Sequence, residues 1–575
     1  MSDKAIKYTA ADALNDALVR AGVTHIFLNS GTDYPPIIES WAKYKEEGKK
    51  FPEIIICPQE TVAMCAAQGF AQVTGNPQAV FVHVDVGTQN IGGAVENTFR
   101  ARVPALIFAG LSPYTMNNEL KGTRNSMIQF LQNVSDQAGV IRGYVKYADE
   151  IRTGKNIQQM IYRALQLAKS DVQAPVYLMA AREVLEEEGV DIGAIPVGWQ
   201  KTDPMAMNSD SLSVIVDALL KAKNPLIVTT YLGRQNDAVY ELVKLCNKLA
   251  IPVIETQQSG MNFPGDNKMH MGIDVKSMLE GCDVILAIDS DIPWIPAYVQ
   301  PPSDCRLFFI DIDPIKDDIP LWNFPAERYI RADSLVALRQ LNEALENAAM
   351  DETIVDEVEK RRKKVTEKHD ALKARLKAAE AMQEVITTPF LTACIRELID
   401  EDTIVLNETI TDCPTVELHL TRNRPGTLYV SGGSSLGWTG GAAIGAKLAC
   451  PDRDVIALTG DGSYIFTCPA AVYWVARKYH TPFMTIVFNN GGWTAPKAIT
   501  AGQHPDGHAA KNDTFWNELE PSMRYDLIAE AAGGAFAATV DDPAKLMDVL
   551  KEGQAAVRSG HCAVINVILP KKRAN

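Results

Sequence analysis

Short apolar runs rich in Val, Ile, Leu and Phe, each ending in a small or polar loop, alternate with helical patterns along the whole chain. This rhythm constrains the fold more than any other feature. Continuous apolar runs of strand length suit strands buried on both faces, and their alternation with helices favours parallel sheets in α/β layers. A first block holds "VTHIFLNSG", "EIIICPQE", "QAVFVHVDVG" and "VPALIFAG"; a second holds "NPLIVTT", "IPVIET", "CDVILAID" and "CRLFFIDIDP". A third holds "DTIVLNE", "TLYVSGG", "DVIALTGDG", "PFMTIVFNN" and "HCAVINVIL". The expected fold is α/β, with three doubly wound parallel-sheet domains over residues 1–185, 205–345 and 386–575. An acidic stretch punctuated by Pro and Gly, "LEEEGVDIGAIPVGWQKTDP", separates the first two. Residues 346–385 form a charged connecting segment of good helix formers, read as a solvated helix. Its "KRRKK" cluster reads as part of that solvated face, because acidic residues flank it. Blocks one and three share size and rhythm, which suggests an internal duplication without any residue-level repeat.

At 575 residues the chain exceeds what one hydrophobic core supports. Its net charge of -15 and pI near 5.2 argue against a nucleic-acid partner, since backbone phosphate is held by clustered Lys and Arg. The N-terminal "MSDKAIKYTAADALNDALVRAGV" lacks the apolar centre of a signal peptide, and no apolar run reaches membrane-spanning length. Ten scattered cysteines without a CxxC pair read as reduced thiols, so a cytoplasmic protein with no membrane association is expected.

The chemistry-bearing loops lie at strand ends, where parallel sheets place ligands. In "DVIALTGDGS" a buried strand leads into Gly460, Asp461 and Gly462, and Ser463 opens a helix. Glycines there let backbone N–H groups approach a diphosphate, and a helix N-terminus favours its charge. The next strand ends at Asn489 and Asn490, followed by Gly491 and Gly492. Side-chain oxygens of Asp461 and Asn490, the Gly492 carbonyl, two phosphate oxygens and a water would complete the octahedral shell that Mg²⁺ prefers. On its residues alone, the segment is a strand-helix-strand clamp for a magnesium diphosphate.

This segment resembles the diphosphate motif of the thiamine-diphosphate (ThDP) enzymes, in the superfamily of acetolactate synthase, pyruvate decarboxylase and benzoylformate decarboxylase. The resemblance spans nearly the whole chain and implies a pyrimidine-binding first domain, a central domain and a diphosphate-binding third domain. It implies ThDP and Mg²⁺ as cofactors, with Gly460, Gly462 and Ser463 near the diphosphate. Glu60, in "EIIICPQETVAMCAAQGF", becomes the acid that activates the aminopyrimidine; without the resemblance it reads as a helix cap. Gly87 and Asn90 match the family loop that lies against the cofactor. His83 falls where benzoylformate decarboxylase carries an active-site His, although a His at a strand end also serves structural roles. Thr32 and Asp33, in "LNSGTDYPP", sit where relatives keep a polar group facing the substrate, and Gln129 stands near a Phe-Gln position of relatives. Leu436 would be the bulky residue under the cofactor, with plain core packing as the alternative, and Thr411 would reach the diphosphate. Gly441 stands where many relatives have Pro.

The resemblance implies non-oxidative decarboxylation of a 2-oxo acid, carboligation, or both, through a C2 carbanion and enamine. Acetolactate synthase or a 2-hydroxyacyl-CoA or acyloin lyase is the alternative. A non-catalytic relative that keeps the fold is the alternative of another class, opposed by the joint presence of Glu60, Asp461 and Asn490. "YLGRQNDAV" offers too little for a flavin site. The stretch after the metal motif either covers the site as a lid, offering Trp493, Lys497, His504 and His508, or is a solvated loop. A homodimer or homotetramer with sites between chains is expected by resemblance.

Overall fold

The computed structural model of the chain describes residues 8–193 and 199–571. The expected absence of a signal peptide falls partly on Met1 to Lys7, and the linker reading partly on Ala194 to Gly198; those residues lie outside the described ones. Strands β1 (Tyr8–Thr9), β2 (His25–Leu28), β3 (Glu53–Ile56), β4 (Ala79–Val82), β5 (Leu106–Leu111), β6 (Tyr147–Ile151), β7 (Val176–Ala181) and β8 (Glu188–Val190) belong to the first block. The middle block holds β9 (Pro225–Thr229), β10 (Val253–Glu255), β11 (Val284–Ile288), β12 (Arg306–Asp311) and β13 (Arg328–Arg331). The last holds β14 (Ile404–Glu408), β15 (Leu428–Val430), β16 (Val455–Gly460), β17 (Met484–Asn489), β18 (Phe536–Val540) and β19 (Ala563–Ile568).

Three parallel sheets result, ordered β3-β2-β4-β5-β7-β6, β10-β9-β11-β12-β13 and β15-β14-β16-β17-β19-β18; β1 and β8 form a small antiparallel pair. Each apolar run quoted above contains one of these strands. β6, β13 and β18 lie at sheet edges, where half-exposed polar residues interrupt the apolar signal. The first and third sheets share one strand order, so the suspected duplication has a counterpart in topology.

Alternate strand residues face opposite cores, as period two requires. Phe27, Val80 and Ile107 of the first sheet join Leu406, Ala457 and Val487 of the third in one shared core. Ile26, Phe81 and Phe108 face a second core under the helices Ala10–Arg20 and Ile157–Lys169. The shared core is built on a crossing of helix Glu60–Thr74 with helix Trp438–Ala449, both rich in Ala and Gly. A methyl at Gly69 or Gly445 would collide with the backbone of Ala442 or Ala66, so the two helices touch main chain to main chain. Gly441 has the same role against Val62 and Cys65.

Helix Glu352–Ala379 corrects the reading of the connecting segment as merely solvated. Arg361 is buried and donates to the carbonyls of Ala222 (2.7 Å) and Leu249, while Arg362 reaches Asn247 O at 2.8 Å. Two arginines of the "KRRKK" cluster therefore satisfy carbonyls at the ends of helices Ser209–Lys221 and Asn236–Leu249, where orphan acceptors and the negative end of the helix dipole attract them. All ten cysteines are free. Among the described residues no helix is long and apolar enough to cross a membrane.

Candidate active site

In the third sheet the strand order reverses between β14 and β16, which opens a crevice at their carboxyl ends. A helix starts there at Asp461, two residues before the expected Ser463, and its carboxylate accepts the N–H of Gly462 at 2.7 Å. The excursion to β17 is two helices, Asp461–Phe466 and Pro469–Lys478, because Cys468 with φ of 55° breaks the first. Beyond β17, Gly491 and Gly492 take φ of 88° and 145°, conformations that other residues avoid. That turn aims the Gly491 N–H at Asp461 Oδ2, 2.9 Å away. Asn490 is held from both sides: its Nδ2 donates to Asp412 Oδ2 (3.3 Å) and its Oδ1 accepts from Thr494 Oγ1 (3.1 Å).

A cavity of about 440 Å³ lies over this edge. Thr411, Leu436, Gly460, Asp461, Gly462 and Ser463 line it, together with Asn490 and Gly492. Burial pushes the Asp461 carboxyl up to about 6; three backbone N–H groups oppose this and the charge of Asp412 adds to it. No Lys or Arg among the described residues pairs with Asp461. A buried carboxylate beside a second acid, without a protein cation and flanked by amide and carbonyl oxygens, fits a hard divalent cation.

Glu60 opens helix Glu60–Thr74 and is 9% exposed. The capping role falls to Gln59, whose Oε1 accepts from the N–H groups of Thr61 (2.5 Å) and Val62 (3.3 Å). Glu60 instead accepts from Asn90 Nδ2 at 3.1 Å, and Gly87 packs between its other oxygen and Val82. The first sheet also reverses its order, between β2 and β4, and the residues after those strands meet. Asp33 is buried and hydrogen-bonds His83 Nδ1; Gln132 Oε1 lies 3.1 Å from Nε2. Burial acts to lower the His83 pKa, but the Asp33 carboxylate, with Gln132, outweighs it and raises the value above the usual one.

Thr32 has an exposed side chain, and its carbonyl accepts from Arg182 Nη1 at 3.2 Å. Gln129 is not brought to His83. It is buried within its own turn, bonded to the N–H (2.9 Å) and side chain (3.2 Å) of Asn125, and Gln132 takes the contact instead. Of the suggested lid residues, Trp493 lines the cavity. Lys497 turns to Asp513 (2.7 Å), and His504 and His508 are exposed.

Sequence reasoning overlooked Gln132, Asp412 and Glu408. Glu408 is buried at the end of β14 and accepts from the N–H groups of Gly437 (2.6 Å), Trp438 (3.2 Å) and Thr439 (3.0 Å), fixing the turn that presents Leu436. Its place at the end of an apolar run was the one available signal. Glu60 and His83 do not line the cavity over Asp461 in the same chain.

Three parallel α/β layers place acid-bearing crevices at the reversal points of the outer two, where such sheets hold ligands. The N-terminal TPP-binding domain model of thiamine pyrophosphate enzymes matches residues 8–140, the central-domain model 212–341 and the C-terminal TPP-binding domain model 410–567. The chain belongs to the thiamine-diphosphate-dependent enzymes. An acetolactate synthase of Bacillus subtilis (strain 168) is 22% identical over 573 residues, covering 96% of this chain and 92% of its own length. A benzoylformate decarboxylase of Pseudomonas aeruginosa is 24% identical over 506 residues, covering 85% of this chain and 87% of its own. The structure of a 4-hydroxybenzoylformate decarboxylase from Rhodococcus jostii RHA1 superposes with a TM-score of 0.77 at 20% identity, covering 98% of this chain and all of that one.

Proposed function

We propose that the protein is a ThDP- and Mg²⁺-dependent enzyme that decarboxylates a 2-oxo acid without oxidation, releasing CO₂ and an aldehyde. The observation that carries this reading is the Asp33–His83–Gln132 chain, a proton carrier held ready at the crevice of the first sheet. Loss of CO₂ leaves a carbon that must gain a proton, and an imidazolium stabilised by a buried carboxylate can deliver it. ThDP, when bound, supplies the electron sink that lets the carboxylate leave. Asp461, Asn490 and the Gly492 carbonyl would hold Mg²⁺; Gly460, Gly462, Ser463 and Thr411 would receive the diphosphate, and Leu436 would support the cofactor. Glu60, steadied by Asn90 and beside Gly87, holds or releases a proton at the pyrimidine end.

Since Glu60 lies outside the cavity of its own chain, the active form is a homodimer or homotetramer. Each site joins the Glu60 face of one chain to the Asp461 face of another. Ten unpaired thiols fit a reducing compartment, and we place the enzyme in the cytoplasm. The acetolactate synthase that matches 96% of the chain favours carboligation as the second reading, with the same residues and a second carbonyl acceptor.

The test combines protein, ThDP and Mg²⁺ with aliphatic and aromatic 2-oxo acids and measures CO₂ and product mass. CO₂ with free aldehyde is expected; a coupled product would replace the first reading by the second. Glu60→Gln should lower kcat by about 10²–10⁴-fold, the range for a positioned acid or base, with ThDP still bound in equilibrium dialysis. Unchanged turnover would remove Glu60 from the mechanism.

A further inference from the structure

The central sheet has a reversal point of its own, between β9 and β11, and a cavity of about 630 Å³ lies at the carboxyl ends of those strands. The loops after β9, β10 and β11 form one side. The other is formed by the end of β14 and helix Cys413–Leu420 of the third block. One wall is apolar, made by Ile273, Trp294, Ile295 and Val299. The lining also offers acceptors. Glu417 is part of it, and its one hydrogen bond is from Cys413 Sγ, 3.3 Å from Oε1. Gln258 is 8% exposed, and its Nε2 is committed to Glu255 Oε1 at 3.0 Å, which leaves Oε1 as a buried acceptor without a partner.

The cations at this cavity do not meet that need. Arg100 is engaged by Asp318 at 2.5 Å, and Lys276 is exposed on the rim. Asp291 is already paired with Arg102 (2.6 Å) and Lys316 (3.0 Å). Glu408 spends both oxygens on the turn at Gly437 to Thr439. Glu255 accepts from His270 Nε2, 2.9 Å away, and from Gln258. An anionic ligand such as a nucleotide diphosphate would face Asp291, and Glu408 and Glu417 once they ionise, with only rim cations for support. What the lining lacks is a donor with positive charge beside a hydrocarbon surface.

We propose that this cavity binds a small organic ammonium ion, whose N–H groups donate to Glu417 and Gln258 Oε1 while its apolar body lies on Trp294 and Ile295. An ammonium brings three donors and no acceptor, which suits the acceptors offered by the Glu417 carboxylate and Gln258 Oε1. The site adjoins the cofactor cavity, with Ile410 lining both, and the proposal does not rest on the decarboxylase reading. It carries a proton signature. Burial, with the charge of nearby Glu255, pushes the empty Glu417 carboxyl up to about 8, the Cys413 contact opposing, so at pH 7 the carboxyl is mostly protonated. Binding a cation favours the carboxylate and expels that proton.

Isothermal titration of the full-length protein with benzylamine at pH 7, in buffers of different ionisation enthalpy, tests this against benzyl alcohol of the same shape. Expected are saturable binding of the amine, release of up to one proton per amine bound, and affinity that rises with pH towards about 8. Benzyl alcohol should bind at least tenfold more weakly, and Glu417→Gln should lose at least tenfold for the amine. Equal binding of the alcohol, binding without proton release, or no binding would overturn the proposal. The proton-release arm uses the unmodified protein, so it decides the question even where the variant fails to fold.

Discussion

His83 shows how two opposed effects on one ring can be separated. Burial is the largest influence and lowers its pKa, while the Asp33 hydrogen bond and charge raise it past the ordinary value. Removing the charge while keeping the shape leaves burial nearly unopposed, so Asp33→Asn should bring the imidazole pKa below the usual His value. The drop is read by NMR titration of the ring. In the native protein the stabilisation from this pair is complete below the unfolded His pKa and is lost as pH rises through the higher folded value. The pH limb of kcat that needs the imidazolium should move the same way as the titration, and an unmoved limb would show that His83 is not the proton carrier. At this scale, Asp461 stood out because it ends an apolar run where a parallel sheet exposes its ligand edge, whereas Glu60 and His83 were singled out by family resemblance. Gln132 and Asp412 were not, since their meaning lies in partners 49 and 78 residues away, His83 and Asn490. Gln129 was named for its likeness to a Phe-Gln of relatives; one short helical turn decides which amide meets His83, and no periodicity extends over four residues.

Among the elements, the crossing of helix Glu60–Thr74 with helix Trp438–Ala449 does most to join the first block to the third. Its contact surface is main chain, so added volume cannot be absorbed by rotating a side chain. Gly445→Ala raises helix propensity by about 1 kcal/mol, which by itself would stabilise. The new methyl, however, would collide with Ala66 O and the Phe70 N–H, and overpacking of this kind costs about 1–3 kcal/mol or more. The steric cost outweighs the gain in propensity, so the variant should melt at a lower temperature than the parent in a calorimetric scan; a rise in Tm would mean that the helices separate at little cost. The sequence shows both helices and their small residues, but not that these two stripes meet, because nothing local links residues 69 and 445. Helix Glu352–Ala379 shows the converse. Its charge pattern reads as solvated all round, and only the tertiary structure reveals that Arg361 has left the solvated face to satisfy two carbonyls.

For the whole molecule, the shared strand order of the first and third sheets gives one chain two similar crevices with different contents. The first carries Glu60, Asp33 and His83, and the third carries Asp461, Asn490 and the glycine loop at Gly460 and Gly462. The proposed ThDP chemistry would need both sets at one cofactor, yet the cavity over Asp461 is not lined by Glu60 or His83 of the same chain. If two chains exchange faces around a two-fold axis, each dimer has two composite sites, and defects in opposite faces can complement one another. Glu60→Gln and Asp461→Ala should each be inactive alone. Mixed after dissociation and allowed to reassociate, they form heterodimers in which one site combines the intact Glu60 of one chain with the intact Asp461 of the other, and the second site carries both defects. With random pairing half of the dimers are mixed and half of their sites are whole, so activity should recover to about a quarter of the parent level. A site closed within one chain would show no recovery at any mixing ratio. The outcome therefore decides whether the duplicated architecture serves as two halves of a catalyst that only a second copy completes.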